Sequence, residues 1–222
     1  MKPVAFKFGR FLFAAVNDEK EAAGVLSHDT QLIKNARNIP SFLKKTSGKY
    51  LLALAYDKEI ICPEKSLRYL LQLTHNTKAG IVYSDFILST ENSLIPRPLI
   101  DYQPGSIRDD FNFGYVLLFS RTAVNHAVSK YGTLPADAAA AIYDLRLKIS
   151  LDHKVLHVPE FLYTVSNKKI EPAESKNPQP EAHFAYLAAR NSALQKKLEK
   201  VATNYLKLAG AYLKPRTQKA NS

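Results

Sequence analysis

The apolar pattern divides the chain into strand-like and helix-like stretches. Val4 to Val16 is a nearly continuous apolar run that reads as strand, followed by a polar helical piece ending near His28. Leu32 to Lys45 has apolar residues at helical spacing and stops at Ser47-Gly48, a C-cap signal, so it predicts an amphipathic helix. Tyr50 to Tyr56 (YLLALAY) is short and uninterrupted, as expected of a strand covered on both faces. Pro63 is well placed to open a helix, on which Leu67, Leu70, Leu71 and Leu73 share the apolar side. Gly80 precedes a second buried strand, Ile81-Val82-Tyr83, ending at Ser84-Asp85. This helix, strand, helix, strand order predicts a parallel α/β sheet.

After a proline-rich connector (IPRPLIDYQPGS) come a strand at Tyr115 to Phe119, helices around Ala123–Lys130 and Ala136–Ile149, and a short strand at Lys154–Val158. Residues 166–182 are polar and rich in Pro, Lys and Glu, the composition of an exposed linker. In the last stretch Phe184, Leu187, Asn191, Leu194, Leu198, Val201, Tyr205, Leu208 and Tyr212 recur at steps of three and four. This pattern predicts one long helix, docked on the domain or paired with a second copy as a coiled coil. The polar positions Asn191, Gln195, Glu199 and Thr203 lie four apart and read as a solvated stripe. The expected organisation is an α/β domain over 1–165 with a mixed, mainly parallel sheet flanked by helices. The linker 166–182, a C-terminal helix at 183–213 and a disordered tail at 214–222 complete it.

Composition narrows this picture only modestly. With 46% hydrophobic and 23% charged residues in 222, the chain is globular and can bury a substantial core. No segment reaches the roughly 18 apolar residues of a membrane span. The basic, apolar N-terminus invites a signal-peptide reading, but Lys7 and Arg10 interrupt the run and no small-residue cleavage site precedes Asn17. The single cysteine, Cys62, suits a reducing cytoplasm. Thirty-one Lys and Arg against twenty Asp and Glu give a net charge of +11, which attracts phosphates. The lysines are spread out and lack the aromatic-arginine clustering that grips nucleic acid, so a nucleic-acid partner ranks last.

Candidate chemistry lies where loops follow strands, since parallel sheets bind ligands at the carboxyl ends of their strands. Asp57 follows the YLLALAY strand and Asp85 the IVY strand. Carboxylates there can hold a divalent ion that bridges a diphosphate, although Asp is also a routine turn residue. Asp101 to Gly114 (DYQPGSIRDDFNFG) is the densest polar cluster. Its Arg108, Asp109 and Asp110 can supply a phosphate-binding cation and a general base, or simply pair with one another. His157 suits either a metal or a hydrogen-bonded packing role, and no HxH or HxxxH spacing supports a zinc site.

Several segments resemble glycosyltransferase family 2, of the GT-A type: Asn35-Ala36-Arg37-Asn38, Thr46 to Leu54 with Asp57, and Ile81-Val82-Tyr83-Ser84-Asp85. So do Tyr143-Asp144-Leu145-Arg146 and His157-Val158-Pro159-Glu160-Phe161-Leu162-Tyr163, and the 97–114 segment is similar to one in a bacterial subgroup of such domains. The resemblance implies a nucleotide-sugar donor and a glycan or lipid-linked acceptor in surface polysaccharide synthesis, at the cytoplasmic side of the membrane. Arg37, Asn38, Asp57, Lys58, Asp85, Arg108 and Arg146 would contact the donor; Asp57, Asp85 and His157 would hold manganese or magnesium. Asp109, Asp110 or Asp144 would be the base.

This sequence departs from the pattern in two places. Ala55 stands where the first acid of the metal motif is expected, with Lys58 on the acid that often follows, and Ala141 and Ile142 stand where the acidic pair with the catalytic base is expected. The stretch before Leu32 is also short for two βα units, each taking roughly thirty residues with its return strand. Either the donor site is incomplete, or another chain, as in a homo-oligomer, or a second glycosyltransferase domain supplies it. The alternative expectation is a non-catalytic partner that keeps the fold.

Overall fold

The computed structural model describes residues 2–9, 11–27, 29–33, 36, 38–55, 57–167 and 180–214, with side chains for all of these except 167 and 180–191. In chain order the elements are β1 (Val4–Phe8), β2 (Phe11–Val16), α1 (Glu19–Leu26), β3 (Gln31–Leu32), α2 (Ile39–Lys44), β4 (Tyr50–Ala55), β5 (Lys58–Ile61) and α3 (Glu64–Thr77). There follow β6 (Ile81–Ser89), β7 (Leu94–Arg97), β8 (Val116–Ser120), α4 (Arg121–Tyr131), α5 (Ala138–Asp152), β9 (Val155–Asn167) and α6 (Pro180–Leu208). Among the described residues the strands form one sheet in the order β3-β1-β2-β4-β8-β6-β9-β5, with β7 paired to β6.

The protein is α/β, as its pattern predicts, but the sheet is mixed and mostly antiparallel. Among the described residues only β1/β3 and β6/β9 pair in parallel. Two features account for the difference. The apolar run from Val4 to Val16 is broken by Gly9, whose φ of 62° lets the chain reverse, so one expected strand becomes a hairpin. β8 then inserts between β4 and β6 and runs antiparallel to both. Neither reversal alters the apolar pattern, because a strand buried on two faces has the same composition in either direction.

Residues on β2 and β4 alternate between two cores. Phe11, Phe13, Leu51 and Ala53 face a layer formed by α2, α4 and α5. Leu12, Ala14, Leu52 and Leu54 face α1 and α3. The helix expected over Leu32–Lys45 is only Ile39–Lys44. Asn38 starts it through a reciprocal capping box with Ser41, and Pro40 occupies its first turn. Gln31 and Leu32 pair with β1 instead. Lys45, not Gly48, closes the helix. Gly48 is small for another reason: a Cβ there would lie 2.7 Å from the Val16 backbone nitrogen.

Two strands run longer than expected. β6 continues past Asp85 to Ser89, and β9 runs from Val155 to Asn167, its second half pairing with β5. On α6, Val201 and Tyr205 bury against Tyr143 and Leu147 of α5, and Lys197 reaches the α5 cap Asp137 at 3.1 Å. The stripe is therefore docked from Leu198 to Tyr205, while Leu208 and Tyr212 are exposed. The expected linker falls largely outside the described residues, as does the tail beyond Lys214. Among the described residues no helix is long and apolar enough to cross a membrane. Cys62 is free, and burial pushes its thiol up to about 12.

α4 and α5 are joined at their ends by Asp152, which accepts from Lys130 (2.8 Å) and from the Tyr131 hydroxyl (2.7 Å), with His126 at 3.6 Å. The hydrogen bond from Lys130 holds the Asp152 carboxyl below its ordinary value, and burial lowers His153 beside it. Both groups bind protons more weakly in the folded chain than in the unfolded one. Their contribution is therefore complete above the ordinary histidine range and is lost as pH falls, first through His153 and then through Asp152. Urea midpoints at pH 8, 6 and 5 should decline in that order, and His153→Gln should flatten the decline between pH 8 and 6.

Candidate functional site

A concavity lies between β2, β8, α5, α6 and the 109–114 loop, with a volume of about 620 Å³, within the range of small-molecule sites. Its floor is apolar, including Phe11, Leu117, Phe119 and Ile142, and Leu194 and Leu198 of α6 form one wall. Asp109, Asp110, Asn112 and Arg146 bring polar groups to it. Gly9, at the hairpin turn, fits so closely against the first turn of α5 that a Cβ there would lie 2.7 Å from the Ala138 Cβ. The hairpin turn thus closes one end of the cleft.

The two adjacent acids differ in environment. Asp110 takes two hydrogen bonds from the Arg108 guanidinium, at 3.0 and 3.1 Å, and these lower its carboxyl below the ordinary range. A carboxylate held low is the weaker base. Asp109 is not bound to Arg108, and its charge reaches Tyr143 and Arg146. Arg146 projects from α5, is 4% exposed, and lies over three rings, Tyr143, Phe113 and Tyr102, at 4.8, 5.6 and 5.7 Å. It donates through Nη2 to the Arg108 carbonyl at 2.8 Å, while its Nε is buried without a partner.

Behind the cleft is a second polar cluster. The Tyr83 ring meets Phe113 edge-on at 5.0 Å and stacks on His157 at 5.0 Å from its other side. His157 Nε2 lies 2.8 Å from Asp85 Oδ1, and Nδ1 lies 2.8 Å from Asp101 Oδ1. Which ring nitrogen donates depends on the tautomer of the imidazole. The same Asp85 oxygen accepts the Leu99 N–H at 2.7 Å, and the Tyr83 hydroxyl donates to the Ile100 carbonyl at 2.6 Å. The connector that carries Asp109 is thus tied to β6 at one end. At the other end Tyr143 donates to the Ile107 carbonyl and Arg146 to the Arg108 carbonyl.

This arrangement alters several expected roles. Asp85 is not at a strand end; it sits mid-strand in β6 at a register irregularity opposite β9. Its hydrogen-bonding capacity and that of His157 are turned toward each other and the connector, which does not fit a divalent ion held by the pair. Among the described residues no three His, Cys, Asp or Glu side chains converge as a metal site. Asp57 stands on the β4–β5 turn, 62% exposed, 3.8 Å from Lys58 and apart from the cleft lining. Asn38 is used as the cap of α2. Arg37 lies outside the described residues. Asp144 faces away from the cleft lining into a buried ion pair with Lys148 at 2.7 Å. Lys148 also donates to the carbonyls of Gly132 and Thr133.

The structure therefore gathers Asp109, Asp110 and Arg146 at one cleft, with Arg108 bound to Asp110, and places Asp85 and His157 behind it. It adds Asp101, Tyr83, Tyr102 and Phe113, which sequence reasoning did not single out as site residues. The clue available for Asp101 and Tyr102 was their place in the polar 101–114 segment. Arg121 was missed altogether: the first residue of α4, it donates to the carbonyls of Leu43, Thr46 and Gly48 and pins the approach to β4. No protein-family model matches the sequence, and a search of curated proteins finds no match.

Proposed function

We propose that this chain is a glycosyltransferase-type domain whose cleft receives a glycan or lipid-linked acceptor, with Asp109 as the general base. The observation carrying this reading is the cleft itself, where one carboxylate not engaged by Arg108 shares an aromatic-walled site with a buried cation. Aromatic faces suit sugar rings, and Asp, Asn and Arg side chains suit their hydroxyls. In the reaction Asp109 accepts the proton of an acceptor hydroxyl as that oxygen bonds to the anomeric carbon of the donor. The bond from that carbon to the nucleoside diphosphate breaks, and the diphosphate leaves with the electron pair. The Asp57–Lys58 pair at the end of β4, with Asp57 exposed and Lys58 half-buried, is the proposed contact for the diphosphate, with Lys58 as the countercharge. No step is routed through a metal ion.

The hairpin supports a second reading, a partner domain that binds an acceptor without turning over a donor. β2 runs antiparallel beside β4 over the register Phe11↔Ala55 to Val16↔Tyr50, so the hairpin turn lies at the carboxyl end of β4. In a parallel arrangement that end opens to a donor. Release of nucleoside diphosphate from UDP-, GDP- and dTDP-sugars, with and without glycan acceptors, separates the two readings. The transferase reading expects acceptor-dependent release that falls about 10²–10⁴-fold in Asp109→Asn, with little change in Tm. Binding of an acceptor with no release from any donor would favour the partner reading, and unchanged turnover in Asp109→Asn would remove Asp109 as the base.

A further inference from the structure

Arg146 presents a problem that the surrounding protein leaves open. A buried cation is normally compensated by a hydrogen-bonded anion, because an ionised group loses its hydration when it leaves water. Among the described residues no carboxylate forms an ion pair with Arg146. Among the described residues its polar contacts are the neutral Arg108 carbonyl and the Tyr143 side chain, its Nε has no partner, and the remaining support comes from three aromatic faces. Asp109 acts on it through charge alone. Yet the residue lines a cleft of about 620 Å³, large enough for a ligand to bring the missing anion.

The rest of the cleft specifies what else that ligand carries. From the guanidinium the lining passes to Phe11, Leu117, Phe119, Ile142, Leu194 and Leu198, an apolar trough between the sheet and α6. A free phosphate or sugar would leave those surfaces unused, whereas an alkyl or isoprenoid chain would cover them. We infer that the cleft binds an amphiphile with an oxyanion head, phosphate or carboxylate, with the head on Arg146 and the chain along the trough beneath α6. The planar fork of arginine matches either oxyanion with two parallel hydrogen bonds. This inference concerns binding alone and does not depend on sugar transfer, so the nucleotide-release assay and the titration below fail separately.

The test is a calorimetric titration of the whole chain with octyl phosphate, octanoate, octyl glucoside and inorganic phosphate, each below any micelle threshold. Octyl phosphate, octanoate or both should bind at one site per chain, at least tenfold tighter than octyl glucoside, with inorganic phosphate weaker still. The arm that binds tighter identifies the head group. Arg146→Gln should lose at least tenfold for the anionic amphiphiles and nothing for octyl glucoside. Because Arg146 is buried and that variant can fail to fold, Ala139→Trp gives an independent arm. Ala139 is an exposed residue on the cleft wall, and a tryptophan there should block the trough and abolish binding while leaving Tm unchanged. Equal affinity for octyl glucoside, or unchanged affinity in a folded Arg146→Gln, would overturn the anionic head. Inorganic phosphate binding as tightly as octyl phosphate, or full binding in Ala139→Trp, would overturn the chain in the trough, and no saturable binding would overturn both.

Discussion

Asp144→Ala is expected to lower stability by about 3–5 kcal/mol, the range for removing one partner of a buried ion pair. The carboxylate and the Lys148 ammonium lie 2.7 Å apart with side chains only 6% and 3% exposed. Burial is the larger influence on Asp144 and raises its carboxyl above the ordinary range, while the hydrogen bond from Lys148 pulls it back. Without Asp144, the ammonium stays buried on the carbonyls of Gly132 and Thr133 with no countercharge. For a chain of this size that loss corresponds to a Tm lower by about 6–20 °C. Turnover per folded molecule should be unchanged. The opposite pattern, full stability with lost turnover, would return Asp144 to the role of base. Replacing both residues by methionine should recover much of the loss, because neither charge then needs a partner.

The second large effect is expected at Gly114, where the cleft loop enters β8. Its φ of 73° lies in the left-handed region, which costs an L-residue about 1–2 kcal/mol. A Cβ there would also collide with the Tyr163 hydroxyl, which accepts the Tyr115 N–H at 2.9 Å. Overpacking of this kind adds about 1–3 kcal/mol. Gly114→Ala should therefore lose about 2–5 kcal/mol in urea unfolding. Gly105→Ala is the control: its φ is 87° but nothing lies within 4 Å of the added carbon. It should show the backbone cost alone. Equal losses at the two positions would mean that the contact with Tyr163 relaxes freely.

Much of the secondary structure was legible because its signals are local. The YLLALA of Tyr50–Ala55 became β4, Pro63 opened α3, and the helices expected at Ala123–Lys130 and Ala136–Ile149 are α4 and α5 within two or three residues at their ends. Where expectation failed, two local signals competed. In Leu32–Lys45 helical spacing pointed to a long helix, but Asn38, Ser41 and Pro40 start one late. In Val4–Val16 the apolar run hid a reversal that a single glycine permits.

The polar residues were legible as a group but not in their roles. Asp109 and Asp110 are neighbours with the same chemistry, and only the position of Arg108 divides them. Asp144 and Arg146 lie two positions apart on α5, so the helix turns one toward Lys148 and the other toward the cleft. Asp85 and His157 are far apart in the chain, and the parallel pairing of β6 with β9 brings them together. Pairing across a sheet is a long-range property, and no spacing along the chain encodes it.

By itself, then, the sequence determined the α/β class, the positions of most elements and the segment that carries the cleft's acids. Each of those depends on contacts within a few residues or on which faces are buried. Strand direction, the division between structural and available carboxylates, and the lack of a carboxylate partner for Arg146 among the described residues were decided only in the tertiary structure. They depend on which distant groups share the same low-dielectric space, where a single missing partner outweighs any local preference.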